Sequence, residues 1–269
     1  MSDGRALARE YLEQQRLLGG DVVIRDPAPA RPDGAVRRPG GLAVESASVQ
    51  APLPTAQPPD RPTADLPPPG ISYDPPSGDL FTADPVSQAG SLQALASLVA
   101  TCTKCRLCEG RTHTVPGEGP DDARLVVVGE GPGRVEDETG RPFVGRAGEL
   151  LDKILAAIEL PRQRVFICNV VKCRPPENRQ PQYDEIASCL PYLHRQLDLL
   201  KPKVILAMGG TAAQTLLDTK QSLASLRNQV HRFRGTPVIV TYHPAALLRN
   251  PNWKRPTWDD VRIARRLLD

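Results

Sequence analysis

Four short apolar runs, largely β-branched, constrain this chain most: Leu125–Gly129, Val165–Val171, Val204–Met208 and Val238–Tyr242. Each is nearly all apolar, which suits a strand covered on both faces. Helical patterns lie between them. Leu150, Leu151, Ile154, Leu155 and Ile158 share one face of the first. Ile186, Leu190, Leu193, Leu197 and Leu200 share one face of the second, and Ala212 to Leu217 make a short third. Strands alternating with helices predict an α/β fold, a three-layer α/β/α sandwich around a central, mostly parallel, four-stranded sheet. Ligands in such folds bind at the carboxyl ends of the strands. That rule points to the segments following the runs: GEGPG, NVVKC, GGT and HPAALLRN.

The first third of the chain has another character. Of the 29 prolines, fifteen fall between Pro27 and Pro85. Residues 26–90 read as a disordered Pro/Ala-rich linker, because such a composition cannot bury enough apolar area to offset its ordering entropy. Residues 1–25 read first as a short, marginal helical segment, with a docking peptide for a protein partner as the alternative. The folded domain is expected over residues 91–269. A net charge of +3 permits nucleic-acid binding without arguing for it, since useful positive charge must be clustered. No apolar run is long enough to span a bilayer, and the N-terminus lacks the order of a signal peptide. A cytoplasmic monomer is expected, and there six cysteines read as metal or cluster ligands or buried thiols before disulfides.

Cys102 and Cys105 form a C-x2-C pair that Cys108 extends, and fifteen residues separate Cys173 from Cys189. No second close pair completes a zinc ribbon, and no Cys-Pro follows Cys108 as in a ferredoxin run. Spacing alone leaves zinc and an iron–sulfur cluster both open. Cys168, inside an apolar run, reads as a buried hydrophobe. GEGPG after the first run lacks the third glycine of a dinucleotide fingerprint, and RVEDETGRPFVG stands where a helix should open at once. No nucleotide cofactor is expected, although backbone this rich in glycine can approach a ligand closely.

Taken in order, GEGPG, TGRPFVGRAGELLDKIL, NVVKCRPPENRQP, Cys189 and YHPAALLRNP resemble the family-4 uracil-DNA glycosylases, from about Cys102 to the C-terminus. The resemblance implies the uracil-DNA glycosylase fold and hydrolysis of the N-glycosidic bond of uracil in single- or double-stranded DNA. It implies a structural four-iron, four-sulfur cluster on Cys102, Cys105, Cys173 and Cys189, with Cys108 left over. The segment between the last two ligands would face DNA, with Arg174 and Arg179 meeting phosphates.

Within that resemblance the residue chemistry assigns roles. Asn169 donates to uracil O4 and accepts from N3–H, a pattern that cytosine reverses. Gly129, Glu130 and Gly131 bring backbone to the base, and Phe143 stacks on it. His243 donates to O2 as charge develops on the leaving base. Leu247 or Leu248 wedges into the vacated stack, and Arg249 meets phosphate. Well-studied relatives of the fold carry an Asp where Gly131 stands, so Glu130 and Glu136 are the candidates for orienting water. Asp137 and Glu138 read as a solvated acidic run. Lys172 is near the site but not placed for Schiff-base chemistry.

Overall fold

The computed structural model describes residues 66–75 and 84–269. The helical segment expected over residues 1–25, the partner role assigned to it, and residues 26–65 and 76–83 of the expected linker lie outside the described residues. The strands are Pro69–Tyr73 (β1), Leu125–Gly129 (β2), Phe166–Asn169 (β3), Val204–Met208 (β4), Val230–Phe233 (β5) and Thr236–Thr241 (β6). Helices Pro85–Gln88 (α1), Leu92–Ala100 (α2), Leu107–Gly110 (α3), Arg134–Thr139 (α4), Arg146–Ala157 (α5) and Tyr183–Leu200 (α6) accompany the first half. Gly210–Leu217 (α7), Leu223–Leu226 (α8), Pro244–Arg249 (α9) and Lys254–Arg266 (α10) follow.

The expected α/β sandwich is present, but the sheet has six strands rather than four, in the order β1-β5-β6-β4-β2-β3. The four runs read from sequence form its parallel part, β3-β2-β4-β6. Alternation splits their side chains between two cores. Val126, Val128, Ile205, Ala207, Val238 and Val240 pack with Leu95 of α2, Leu193 and Leu197 of α6 and Leu216 of α7. Leu125, Val127, Ile167, Leu206, Met208 and Ile239 pack with Leu151, Ile154 and Leu155 of α5 and Val261 of α10. Cys168 is fully buried in the first core, as expected.

The two additional strands have local causes. β5 turns back onto β6 through Arg234 and Gly235, both at positive φ, the geometry of a tight two-residue hairpin. β1 then joins the outer edge of β5 in parallel, inside the stretch expected to be linker. Its Pro69 stands at the first strand position on a sheet edge, where a missing N–H costs no ladder bond. The Ile71 N–H donates to Nδ1 of the buried His231 at 2.9 Å, and the other ring nitrogen lies 2.6 Å from the Leu226 carbonyl. That histidine is a satisfied member of the core. Two further expectations are corrected. A helix, α4, does open at once after GEGPG, and Asp137 within it is buried, accepting from the Thr112 N–H.

The unanticipated helix α10 fixes the end of β6. Arg227 donates to Asp260 through Nε at 2.7 Å and Nη2 at 3.1 Å, and Thr241 Oγ1 donates to the same carboxylate at 2.7 Å. Both charged side chains are nearly inaccessible. Asp260→Ala is therefore expected to cost about 3–5 kcal/mol, the usual penalty for a buried charge left unpaired. Urea unfolding measures it; a loss below 1 kcal/mol would show that the pair does not brace this strand.

Candidate functional site

Parallel pairing places Gly129 opposite Asn169, and Met208 opposite Thr241, so the four strands end together on one edge of the sheet. The segments leaving that edge line a wide cleft with a volume of about 830 Å³. Glu130, Gly131, Glu136, Phe143, Asn169, Arg179, His243 and Arg249 all contribute to its wall. Gly129 lies beneath Phe143 and Asn169.

Asn169 is 1% exposed, and its Oδ1 has no hydrogen-bond partner. Leaving a buried acceptor unmet costs about 1–3 kcal/mol, and a group in that state at a cleft wall is suited to a ligand's N–H. The floor beneath is shaped by absence of a side chain. A Cβ at Gly129 would stand 2.5 Å from both Asn169 Oδ1 and the Phe143 ring.

Phe143 is buried at a φ of 51°, a left-handed conformation that bulky residues rarely adopt. Its neighbours hold it there. Arg162 donates to the carbonyls of Pro142 and Phe143, and Glu136 Oε1 accepts from the N–H groups of Val144 and Gly145, each at 2.9 Å. Gly148 has no room for a side chain, since a Cβ would fall 1.9 Å from the Phe143 carbonyl oxygen. Strain held by several independent contacts is characteristic of a ligand clamp.

The ring of His243 lies 5.4 Å from that of Phe143. His243 caps α9, and its Nδ1 accepts from the Ala245 N–H at 3.2 Å. That bond requires a lone pair on Nδ1, so the neutral ring carries its proton on Nε2 and donates from there. Burial, reinforced by the positive charge of Arg249, lowers its pKa to about 4.

The two candidate carboxylates differ in what already occupies them. Glu136 is saturated by backbone: Oε1 takes the two loop N–H groups above, and Oε2 accepts from Gly133 N–H at 3.1 Å. It shapes the loop. Glu130 follows β2 directly, lines the cleft and accepts one bond, from Thr211 Oγ1. Lys172 is buried, with Nζ donating to the Asn169 carbonyl at 2.7 Å and to Gln196 at 2.6 Å, so it supports the strand end from behind.

The cationic and apolar candidates separate similarly. Arg179 donates to both oxygens of the buried Glu185, at 2.6 and 2.8 Å, and Arg174 donates to Asn178 Oδ1 at 2.8 Å. Leu247 is fully buried in the second core and cannot serve as a wedge, whereas Leu248 is 43% exposed. Arg249, one residue on, is exposed at the cleft.

On the first-core side, five cysteines line a separate space: Cys102, Cys105, Cys108, Cys173 and Cys189. No carboxylate lines it, while Lys104, Arg111 and Lys172 do. Arg111 donates to the Cys102 carbonyl at 2.8 Å and to Cys173 Sγ at 3.1 Å, joining the early and late cysteines. The Lys172 N–H donates to Cys189 Sγ at 3.3 Å. Burial pushes the Cys189 thiol up to about 12, so a free thiol here stays protonated and a metal is what would make it a thiolate. Among the described residues no three His, Cys, Asp or Glu side chains gather tightly enough for a single metal ion. Thiols with three cations and no carboxylate around them suit an anionic, thiolate-bound guest.

Residues 116–263 match the uracil DNA glycosylase superfamily. The chain is 44% identical over 186 residues to a type-4 uracil-DNA glycosylase of Sulfurisphaera tokodaii, an overlap covering 66% of this chain and 84% of that one. It is 44% identical to the type-4 enzyme of Thermotoga maritima over 66% of this chain and 94% of that one. For the type-4 enzyme of Pyrobaculum aerophilum the figures are 45%, 60% and 86%. No helix among the described residues is long and apolar enough to cross a membrane.

Two half-buried histidines carry a pH consequence. His194, like His243, is lowered to about 4 by burial. Their unfolded forms protonate near 6.5, so the unfolded chain binds protons first. Stability from both rings is full above pH 6.5 and declines as pH falls toward 4. Imidazole NMR shifts of His243 should stay those of the Nε2–H tautomer down to about pH 5; titration near 6.5 would contradict the neutral, Nε2-protonated ring.

Proposed function

The chain belongs to the uracil-DNA glycosylase superfamily, and we propose that it releases uracil from DNA through the cleft at the strand ends. The observation that carries this reading is the buried Asn169, whose Oδ1 has no partner, in the same cleft as a neutral, Nε2-protonated His243. A nucleotide flipped out of its strand enters the cleft and its base stacks on Phe143. Asn169 Oδ1 accepts from uracil N3–H while its Nδ2 donates to O4. Cytosine has an acceptor at N3 and a donor at C4, so it would meet Asn169 with both bonds reversed.

As the bond from C1′ to N1 lengthens, negative charge spreads over the base onto O2, where His243 Nε2–H donates. Donors aimed at developing charge in a dry site contribute much of such a rate enhancement. Of the two glutamates, Glu130 is the one we assign to water and to the positive charge growing on the sugar, because Glu136 is fully engaged by backbone. Water adds to C1′ and the base departs, leaving uracil and an abasic site. Leu248 fills the vacated stack and Arg249 meets phosphate.

Cys102, Cys105, Cys173 and Cys189 would hold a four-iron, four-sulfur cluster, in accord with the positive lining of their space. When bound, it supplies no chemistry to base release and serves as a brace. Its last two ligands flank the segment that carries Arg174 and Arg179, and Arg179 lines the cleft. We take the enzyme to act as a cytoplasmic monomer, with the N-terminal segment free to meet a protein partner.

The test is an oligonucleotide containing one uracil, incubated with protein in EDTA and then treated with alkali. Cleavage at uracil is expected. Asn169→Asp and His243→Ala should each lower its rate by about 100-fold or more; unchanged rates in both would refute the assigned pocket, and an intact strand with the wild type would refute the activity. Leu248→Ala should weaken turnover on duplex DNA while leaving folding intact. Leu247→Ala should destabilise the fold by about 2–5 kcal/mol. Cys173→Ser and Cys189→Ser should purify without the visible absorption of a cluster, and Cys108→Ser should retain it; a colourless Cys108→Ser protein would move Cys108 into the ligand set.

A further inference from the structure

The cleft is larger than its assigned task. Its volume of about 830 Å³ lies toward the upper end of the roughly 300–1,000 Å³ of an ordinary small-molecule site, and a single pyrimidine leaves much of it open. Its lining extends beyond Phe143 and Asn169 to Ser222, Leu223, Tyr242 and Trp253.

Trp253 closes the short turn Pro251–Trp253 just after Arg249. It is half-buried: part of it packs on the second core, and part forms cleft wall. Its indole lies parallel to the Tyr242 ring, with centroids 4.8 Å apart and planes 2° from coincidence. Tyr242 in turn has the Arg227 guanidinium 4.6 Å from its centroid. Arg227 is fixed by Asp260 and by the Pro256 carbonyl, to which it donates at 2.9 Å. The indole is thus the cleft end of a rigid pile anchored in the core. Tyr242 also directly precedes His243, so the pile and the base pocket share one strand end.

Building on the glycosylase reading, we infer that Trp253 is a stacking platform for the nucleobase next to the flipped uracil, on one side of it only. An aromatic face accepts any base, so the contact contributes affinity without adding sequence preference. A flanking base is free to leave its neighbours in a single strand and is held by pairing in a duplex. The platform therefore favours single-stranded substrate. Its place beside Arg249 suits a nucleotide whose phosphate that side chain meets.

The experiment measures affinity by fluorescence anisotropy on labelled single-stranded oligonucleotides with one uracil. In two of them a baseless spacer replaces the nucleotide on the 5′ or the 3′ side. Wild-type protein should lose about tenfold in affinity with one spacer and little with the other, the size of one lost base–aromatic stack. Trp253→Ala should bind the intact oligonucleotide about tenfold more weakly and no longer distinguish the spacers. Trp253→Phe should restore part of the difference. Equal wild-type affinity for all three oligonucleotides would overturn the inference without any variant. Undiminished discrimination by Trp253→Ala would also overturn it. Uracil release by wild type, scored in parallel, separates the two readings: release without discrimination removes the platform alone, and no release removes the glycosylase reading and the platform with it.

Discussion

In-register parallel pairing of β3, β2, β4 and β6 is the constraint on which the site depends. Because Gly129 pairs with Asn169 and Met208 with Thr241, four chain segments leave the sheet at one level. A slip of one residue would turn Asn169 to the opposite face and bury a different set of side chains. Register is in turn secured by nearly continuous apolar runs, which fill two cores and leave no wet face toward which a strand can shift. The pocket is a consequence of how the sheet is packed.

On that edge the protein holds several unfavourable arrangements at once. Asn169 is buried with an acceptor unmet, Phe143 stands at positive φ, and His243 is kept neutral well below its usual pKa. The first two cost stability in the free protein and the third does so only as pH falls below about 6.5, and each is fixed by neighbours from other elements: Arg162, Glu136, Lys172 and the α9 backbone. Groups arranged before substrate arrives need not reorganise during bond cleavage, which is where electrostatic preorganisation lowers a barrier. The cysteine-lined space lies behind the same region. Lys172 links the two, with its N–H on Cys189 and its ammonium on the Asn169 carbonyl.

Much of this was legible in sequence, for physical reasons. The four parallel strands are apolar on both faces, and their runs stand out from any background. Asn169, Phe143 and His243 follow from the rule that such sheets bind ligands at their carboxyl ends, together with the motif resemblance. What was hidden depended on distant partners or on phase. PGISY and VHRF are too short and mixed to announce a sheet edge. Leu247 and Leu248 sit in a six-residue helix, too short for periodicity to tell the buried one from the exposed one. Glu130 and Glu136 differ only in whether backbone N–H groups from a later loop occupy them. Asp137 is buried because Thr112, far back in the chain, supplies its donor.

The central claim is that the Asn169 carboxamide and the His243 Nε2–H read the edge of uracil. Free uracil titrated into isotopically labelled protein tests this most directly, through the Asn169 side-chain amide and the His243 ring N–H in an NMR spectrum. Both signals should shift together and saturate with uracil, and cytosine at the same concentrations should leave them in place. Equal shifts with cytosine, or uracil binding that moves neither signal, would contradict the account.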